Sequence, residues 1–369
     1  MRQPIKIVAA LGAVSLLLAG CGKPSSSTAT TEPTNSTPTS NSTSSSGGSL
    51  NACMVLDIGG VDDKSFNQAS WAGMTAAHSD NSGIKVSYVP SGSQNDYTPN
   101  LTAETNKGCD TVIAVGGLMY SAVAKIAKKN PTQHYAEIDN SNQGLKNVYG
   151  LQYNTAQGGF LGGYLAAGMT KTGTVATYGG LNIPPVTIYM DGFWEGVQYF
   201  NHQNNKDVKV LGWDETNQHG GTFANSFTDA NKGKQITQQF QQQGADIVFP
   251  VAGGTGVGSA AAAAASGGQL NVIWVDTDGC ESVSQYCKYF LTSVTKNLTD
   301  SVKTYVEAAA SGKYPKGSYV GTLANNGTGL APFHDFDSKV SSSLKSQLDQ
   351  VKQDIISGKI KITSPSQPQ

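Results

Sequence analysis

Two doubly wound lobes, each an α/β unit on a parallel sheet, are what this 369-residue sequence predicts. The length matches two units of about 150 residues, each large enough to bury its own core. Short apolar runs recur along the chain, and helix-like stretches separate them. Such alternation builds parallel sheets with helices on both faces, and strands covered on both faces are apolar nearly throughout. The 43 glycines suit a fold with many tight turns and close backbone approaches.

The first four strands are expected in "ACMVLDIGG" (52–60), "IKVSYVPS" (84–91), "CDTVIAVGG" (109–117) and "HYAEIDN" (134–140). A second four follow in "GTVATYGG" (173–180), "VKVLGWDE" (208–215), "ADIVFPVAGG" (245–254) and "NVIWVDTDG" (271–279). Between the two series lies the helical stretch "TAQGGFLGGYLAAGMTKTG". Lobe one is therefore expected over 51–155, completed by about 280–325, and lobe two over 156–279, completed by about 326–360. Open sheets of this kind take ligands in the crevice outside the carboxyl ends of their strands. Those ends, from "DIGGVDDKSFN" to "VDTDG", are rich in Gly, Asp, Asn and Ser.

The N-terminus reads as an export signal. Arg2 and Lys6 precede the apolar run "IVAALGAVSLLLAG", which is short for a membrane span. Leu18-Ala19-Gly20-Cys21 looks like a bacterial lipobox, in which Cys21 carries the lipid and becomes the mature N-terminus; ordinary cleavage at a small-residue site is the alternative. Residues 1–21 are thus the signal. The stretch 22–50 is a tether, with 17 Ser or Thr among the 28 residues from Lys23 to Leu50 and almost nothing to bury. Fully stretched it would reach roughly 90 to 100 Å. The expected location is the extracytoplasmic face of the cell membrane, held there by the lipid.

Cysteine usage agrees with export. Cys53, Cys109, Cys280 and Cys287 are an even set in an oxidising compartment, and four cysteines allow three pairings. Cys280 with Cys287 closes the short loop "GCESVSQYC". Cys53 with Cys109 follows if the first and third strands lie side by side, as in flavodoxin-like order. No CxxC pair exists and the five histidines are scattered, so no metal site is expected.

Composition excludes some functions and the motifs exclude others. A formal net charge of −1 gives no basic surplus for nucleic acid. G-x-S-x-G, a Walker A loop, HExxH and a Cys/His pair with triad logic are all missing. "GGTGVGS" lacks the Walker lysine and reads as a turn opening the helix "SAAAAAAS". The acids Asp62/Asp63 and Asp276/Asp278 suit helix caps and hydrogen-bond acceptors better than an acid/base pair. No cofactor is implied and an enzyme is not expected.

Five motifs, in order and at about the right spacing, resemble the basic membrane protein (BMP) lipoprotein family. They are "DDKSFNQASWAGM", "EIDNSNQGLKNVYGLQYNTAQGGFLGGYLAAGM", "ADIVFPVAGGTGVG", "VIWVDTDG" and "LTSVTKN", and the resemblance covers roughly residues 50 to 345. It implies a type I periplasmic-binding-protein fold, a purine nucleoside as ligand and an ABC permease as partner. It also implies a site. Phe66 resembles one face of an aromatic clamp and Phe227, in "ANSFTDANKGK", the other. Asp63 and Asn67 resemble the groups on the base edge, and Asp139, Gly254, Asp276 and Lys296 those on the ribose hydroxyls.

Elementary chemistry agrees with that assignment. A purine has two flat faces, and stacking supplies on the order of 1 to 3 kcal/mol per base in nucleic-acid complexes. Ionised carboxylates accept from hydroxyl groups, and Lys296 would offset their charge. Structural readings stand beside each role: Phe66 as a hydrophobic staple with Asp63 or Ser65 capping, Phe227 as a core ring, Asp139 as a turn cap, Lys296 as a surface lysine. Trp194 and Trp274 read as packing residues. The cysteine loop after "VDTD" departs from many relatives, which have a glutamine after the second Asp. Two other functions are weighed, a sugar binder of the same fold and a secreted nucleoside hydrolase using Asp62, Asp63 or Asp276. A cleft that opens and shuts is compatible with a monomer.

Overall fold

The computed structural model describes residues 48–368. The signal, Cys21 and most of the tether lie outside them. Lobe one opens with β1 (Leu50–Val55), α1 (Phe66–Asp80), β2 (Ile84–Val89), α2 (Tyr97–Asn106), β3 (Thr111–Val115), α3 (Tyr120–Lys129), β4 (His134–Ile138) and β5 (Val148–Tyr153). The chain crosses to lobe two for α4 (Ala156–Met169), β6 (Thr174–Gly179), α5 (Pro184–Asn204), β7 (Lys209–Leu211), α6 (Ala230–Gln242) and β8 (Ile247–Val251). There it continues with α7 (Val257–Ala265), β9 (Asn271–Asp276), the short α8 (Gly279–Ser282) and β10 (Phe290–Lys296). It returns for α9 (Leu298–Ala310) and β11 (Gly317–Gly321), then crosses again to β12 (Thr328–Leu330) and α10 (Ser342–Ile356).

Each lobe carries a six-stranded sheet, ordered β11-β5-β4-β3-β1-β2 in lobe one and β12-β10-β9-β8-β6-β7 in lobe two. All pairings are parallel except β10 with β12. The two-lobed parallel architecture is thus the expected one, and all eight predicted strands are present. Four more were not predicted: β5, β10, β11 and β12. Apolarity does not mark them. β10 buries Thr292 and Ser293, whose hydroxyls find partners at Ala331 O and Gly279 N. Hydroxyls satisfied in this way can sit in a core.

Two corrections to the boundaries follow. Residues 280–296, expected to complete lobe one, belong to lobe two, because β10 pairs with β9. The return to lobe one begins only with α9, whose Leu298, Val302 and Val306 join the core under β1. The tether also ends earlier than residue 50. Leu50 already pairs with Ile84, and Asn81 Nδ2 donates to Gly48 O at 3.0 Å.

Every sheet is covered on both faces, giving each lobe two apolar cores. The glycines of "AQGGFLGGYLAAGM" let α4 lie against α5. A Cβ on Gly163 would meet Phe193 O at 2.0 Å, and one on Gly196 would meet Phe160 O at 2.1 Å. The structure joins Cys53 to Cys109, and Cys280 to Cys287. The first bridge links the turn before β3 to β1, since those strands are neighbours.

The three crossings are tied to one another. Asn154 N donates to Gly321 O at 2.8 Å, Asn297 N to Gly327 O at 3.0 Å, and Leu323 N to Gln157 Oε1 at 2.8 Å. Three bonded strands of chain between two rigid lobes make a hinge. Among the described residues no helix is long and apolar enough to cross a membrane.

Candidate ligand-binding site between the lobes

The carboxyl ends of both sheets face one cleft, and open α/β sheets take ligands at that end. Seven of the eight residues expected to bind ligand line it: Asp63, Phe66, Asn67, Asp139, Phe227, Asp276 and Lys296. Gly254 does not. Its neighbour Gly253 does, and Gly254 packs behind it with its Cβ position 3.1 Å from Phe227 O. The end of β8 turns at Gly253, where φ is +51°, so the first glycine of the pair rather than the second faces the cavity.

The loop before α1 supplies the lobe-one side. Asp63 closes the helix: its carboxylate accepts from the backbone N–H of Ser65 at 3.0 Å, Asn67 at 2.9 Å and Gln68 at 3.1 Å. Such caps satisfy N–H groups that the helix itself cannot. The capping reading of Asp63 therefore holds in the structure, and most of its acceptor capacity is used within the chain. Asn67 Nδ2 donates to Asp57 Oδ1 at 2.7 Å, and Gly59 N donates to the same oxygen at 3.0 Å. Asn67 Oδ1 is buried with no protein partner. Burial pushes both acids up, Asp57 above its ordinary value and Asp63 to about 7, against the pull of these donors.

The second polar cluster spans the lobes. Lys296, at the end of β10, donates to both carboxylate oxygens of Asp139 at 2.9 and 3.1 Å. It also lies 3.8 Å from Asp276. Asp276 accepts from Tyr189 OH at 2.6 Å and from Ser65 Oγ at 2.7 Å. Burial raises Asp139 to about 6, with Lys296 opposing the rise. Lys296 Nζ also stands 4.9, 5.3 and 5.5 Å from the rings of Phe66, Tyr189 and Tyr153, within reach of cation–π attraction. Lys296 is 4% exposed, so it is no surface lysine.

Asp139 and Asp276 end the fourth strand of each lobe and both turn through positive φ, at +70° and +65°. Aspartate tolerates that conformation better than most residues, though it is still uncommon. Lys64, at φ +61°, makes a similar turn before α1, and its carbonyl accepts from Trp274 Nε1 at 3.3 Å and Thr277 Oγ1 at 3.1 Å across the lobes. With the Ser65–Asp276 and Lys296–Asp139 bonds, these contacts hold the lobes together around the cavity. Asp278 points elsewhere, capping α8 and pairing with His334 at 2.6 Å. Trp274 is fully buried against Phe290, and Trp194 packs on the lobe-two core.

The rings come one from each lobe. Phe66 starts α1, and Phe227 sits in the loop before α6, its ring held against Gly180, whose Cβ would lie 2.2 Å from Phe227 Cε1. Ile183, Pro185 and Val186 of the α5 start add apolar wall. Sequence reasoning missed Asp57, Tyr189 and Gly253. Asp57 had a signal, as an acid closing the first apolar run where such folds place ligands. Tyr189 had none, because only the packing of α5 brings it to Asp276.

A family model described as "ABC transporter substrate-binding protein PnrA-like" (Bmp) matches residues 50–366. The chain belongs to the Bmp family. Members of this family are solute-binding proteins of ABC transporters, not enzymes. The chain is 29% identical over 332 residues to the "ABC transporter nucleoside-binding protein BmpA" of Lactococcus lactis subsp. cremoris, covering 85% of this chain and 89% of that one. It is 28% identical over 318 residues to "Basic membrane protein A" of Borreliella burgdorferi, covering 84% and 87%. Among solved structures, a solute-binding protein of an ABC transporter system from Aeropyrum pernix K1 superimposes with TM-score 0.77 at 25% identity, covering 86% of this chain and 94% of that one.

Proposed function

We propose that this Bmp-family protein closes its lobes around a purine nucleoside and presents it to a membrane permease. One observation carries the reading: a single interlobe cleft takes an aromatic ring from each lobe and two separate buried polar clusters. Flat rings suit a nucleobase, which stacks on either face. Asp57 and Asn67 offer an acceptor and an amide for the base edge, with Asp63 holding their helix in register. The Asp139, Asp276 and Lys296 cluster offers acceptors for vicinal hydroxyl groups beside a compensating cation. The printed name of the Lactococcus relative, a nucleoside-binding protein, supports the same ligand class.

Nothing in this arrangement is asked to break a bond. Asp63 is committed to the helix N–H groups, and Asp276 accepts two hydroxyls. The anchor is part of the proposal: Cys21 carries lipid and the Ser/Thr-rich tether lets a monomeric body reach the permease. Metabolic labelling with a radioactive fatty acid tests it, and a Cys21→Ser protein that still labels would exclude that residue. For the ligand, native mass spectrometry of protein purified from its host reads a bound mass directly. A nucleoside mass is expected; a monosaccharide mass would favour the sugar-binding alternative.

A further inference from the structure

We infer that the cleft has a second compartment beyond the sugar cluster, which receives a neutral, hydrogen-bonding substituent carried on the 5′ carbon of the nucleoside. This deepens the nucleoside reading and rests on it. A second hollow, about 760 Å³ including the solvent at its mouth, adjoins the first, the two sharing Asp139, Pro185 and Lys296 as lining. Both lobes and the C-terminal tail line it, the tail through Ser366 and Gln367.

The tail is fixed there, not draped. Ser364 Oγ donates to the buried Asp191 at 2.5 Å, Ser366 Oγ lies 2.9 Å from Thr187 Oγ1, and Asn154 Nδ2 at the hinge donates to Gln367 Oε1 at 2.9 Å. Thr155 lines the compartment, is 1% exposed, and its hydroxyl has no protein partner. It stands at the N-cap of α4, where threonine hydroxyls ordinarily bond the first helix N–H groups, yet it makes no such bond. A buried hydroxyl left over is costly unless a ligand or solvent group meets it.

Charge decides the class of substituent. Among the described residues, Asp139 and Lys296 are the only charged side chains on the lining, and each is already bonded to the other. Among the described residues no cation on the lining is free to take a phosphate, and Asp139 with the nearby Asp276 would repel one. The remaining polar lining is hydroxyl and amide, from Asn140, Ser141, Gln152 and Thr155. With the vicinal 2′ and 3′ hydroxyls on the carboxylates, the 5′ carbon is the arm left to extend. The compartment therefore accepts amide- or hydroxyl-bearing nucleosides and excludes nucleotides.

Calorimetric titration of the full-length protein in detergent with adenosine, 5′-(N-ethylcarboxamido)adenosine and adenosine 5′-monophosphate tests this. The neutral amide is expected to bind within about tenfold of adenosine and the monophosphate at least 100-fold more weakly. In Thr155→Val the amide should lose about fivefold relative to adenosine, the size of one hydrogen bond. Adenosine binding with the amide 100-fold weaker, or an unchanged ratio in Thr155→Val, overturns the compartment while leaving the nucleoside reading intact. No binding of adenosine, guanosine or inosine overturns both.

Discussion

Asp139 and Asp276 hold equivalent places in the two lobes, each turning through positive φ at the end of a fourth strand and each meeting Lys296. Their place at the ligand end of the sheets was legible from the strand ends, and the family resemblance singled these two acids out among the residues there. Asp57 also stands at a strand end and lies outside the motifs that carry the resemblance, which begin at Asp62. Phe66→Ala is expected to weaken nucleoside binding about 10- to 100-fold, from the loss of one stacking face. The melting temperature of the ligand-free protein should hardly move, because Phe66 is only partly buried against its core. Asp57→Asn should weaken binding by a similar factor, a charged hydrogen bond being worth about 1.5 to 3 kcal/mol. Asp63→Asn should act mainly on stability, seen in the melting curve, since its oxygens hold the start of α1.

At the scale of elements, the long apolar strands were readable and the strands beside the hinge were not. β5 interleaves Gly150 and Gln152 with its apolar residues, β11 is Gly-Ser-Tyr-Val-Gly, and β12 has three residues. Such segments become strands because a neighbouring edge pairs with them, which no local pattern announces. The bridges also act on elements. Cys53–Cys109 closes a loop with a sequence separation of 56, and Cys280–Cys287 one of 7. In the chain-entropy model these are worth about 4 and about 2.5 kcal/mol. Cys53→Ser/Cys109→Ser should therefore lower the denaturation midpoint more than Cys280→Ser/Cys287→Ser, as followed by circular dichroism in urea.

The β4 acid Glu137 gives a pH signature. It is fully buried, accepts from Asn140 and Gln143 at 2.7 and 2.6 Å, and burial raises it from 4.5 to about 7. A carboxyl raised on folding stabilises the native state fully below its unfolded value, near pH 4.5, and that contribution is lost as pH rises through about 7. Asp139 and Asp63, raised to about 6 and about 7, act in the same direction. Ligand-free protein should thus lose stability between about pH 4.5 and pH 7.5. Glu137→Gln should flatten part of that slope, by roughly 3 kcal/mol at the alkaline end. A slope unchanged in Glu137→Gln would show that this carboxyl titrates normally.

For the whole molecule, two lobes, three bonded crossings and a set of interlobe bonds around one cavity describe a closing clamp. The crossings fall at Asn154, Asn297 and the 322–327 segment, so Lys296 sits one residue from a hinge strand and also pairs with the opposite lobe. On the proposed function, ligand binding and closure couple through that lysine, because the groups that join the lobes are the groups that line the site. Hinge closure of this kind makes ligand stabilise the fold by mass action. The central claim is tested most directly by calorimetric titration of the folded body, residues 48–369, against adenosine, guanosine, inosine, cytidine and a panel of monosaccharides. Saturable one-to-one binding of at least one purine nucleoside, weakened in Phe66→Ala, is the expected result; saturable binding of a monosaccharide with no heat from any nucleoside would contradict it.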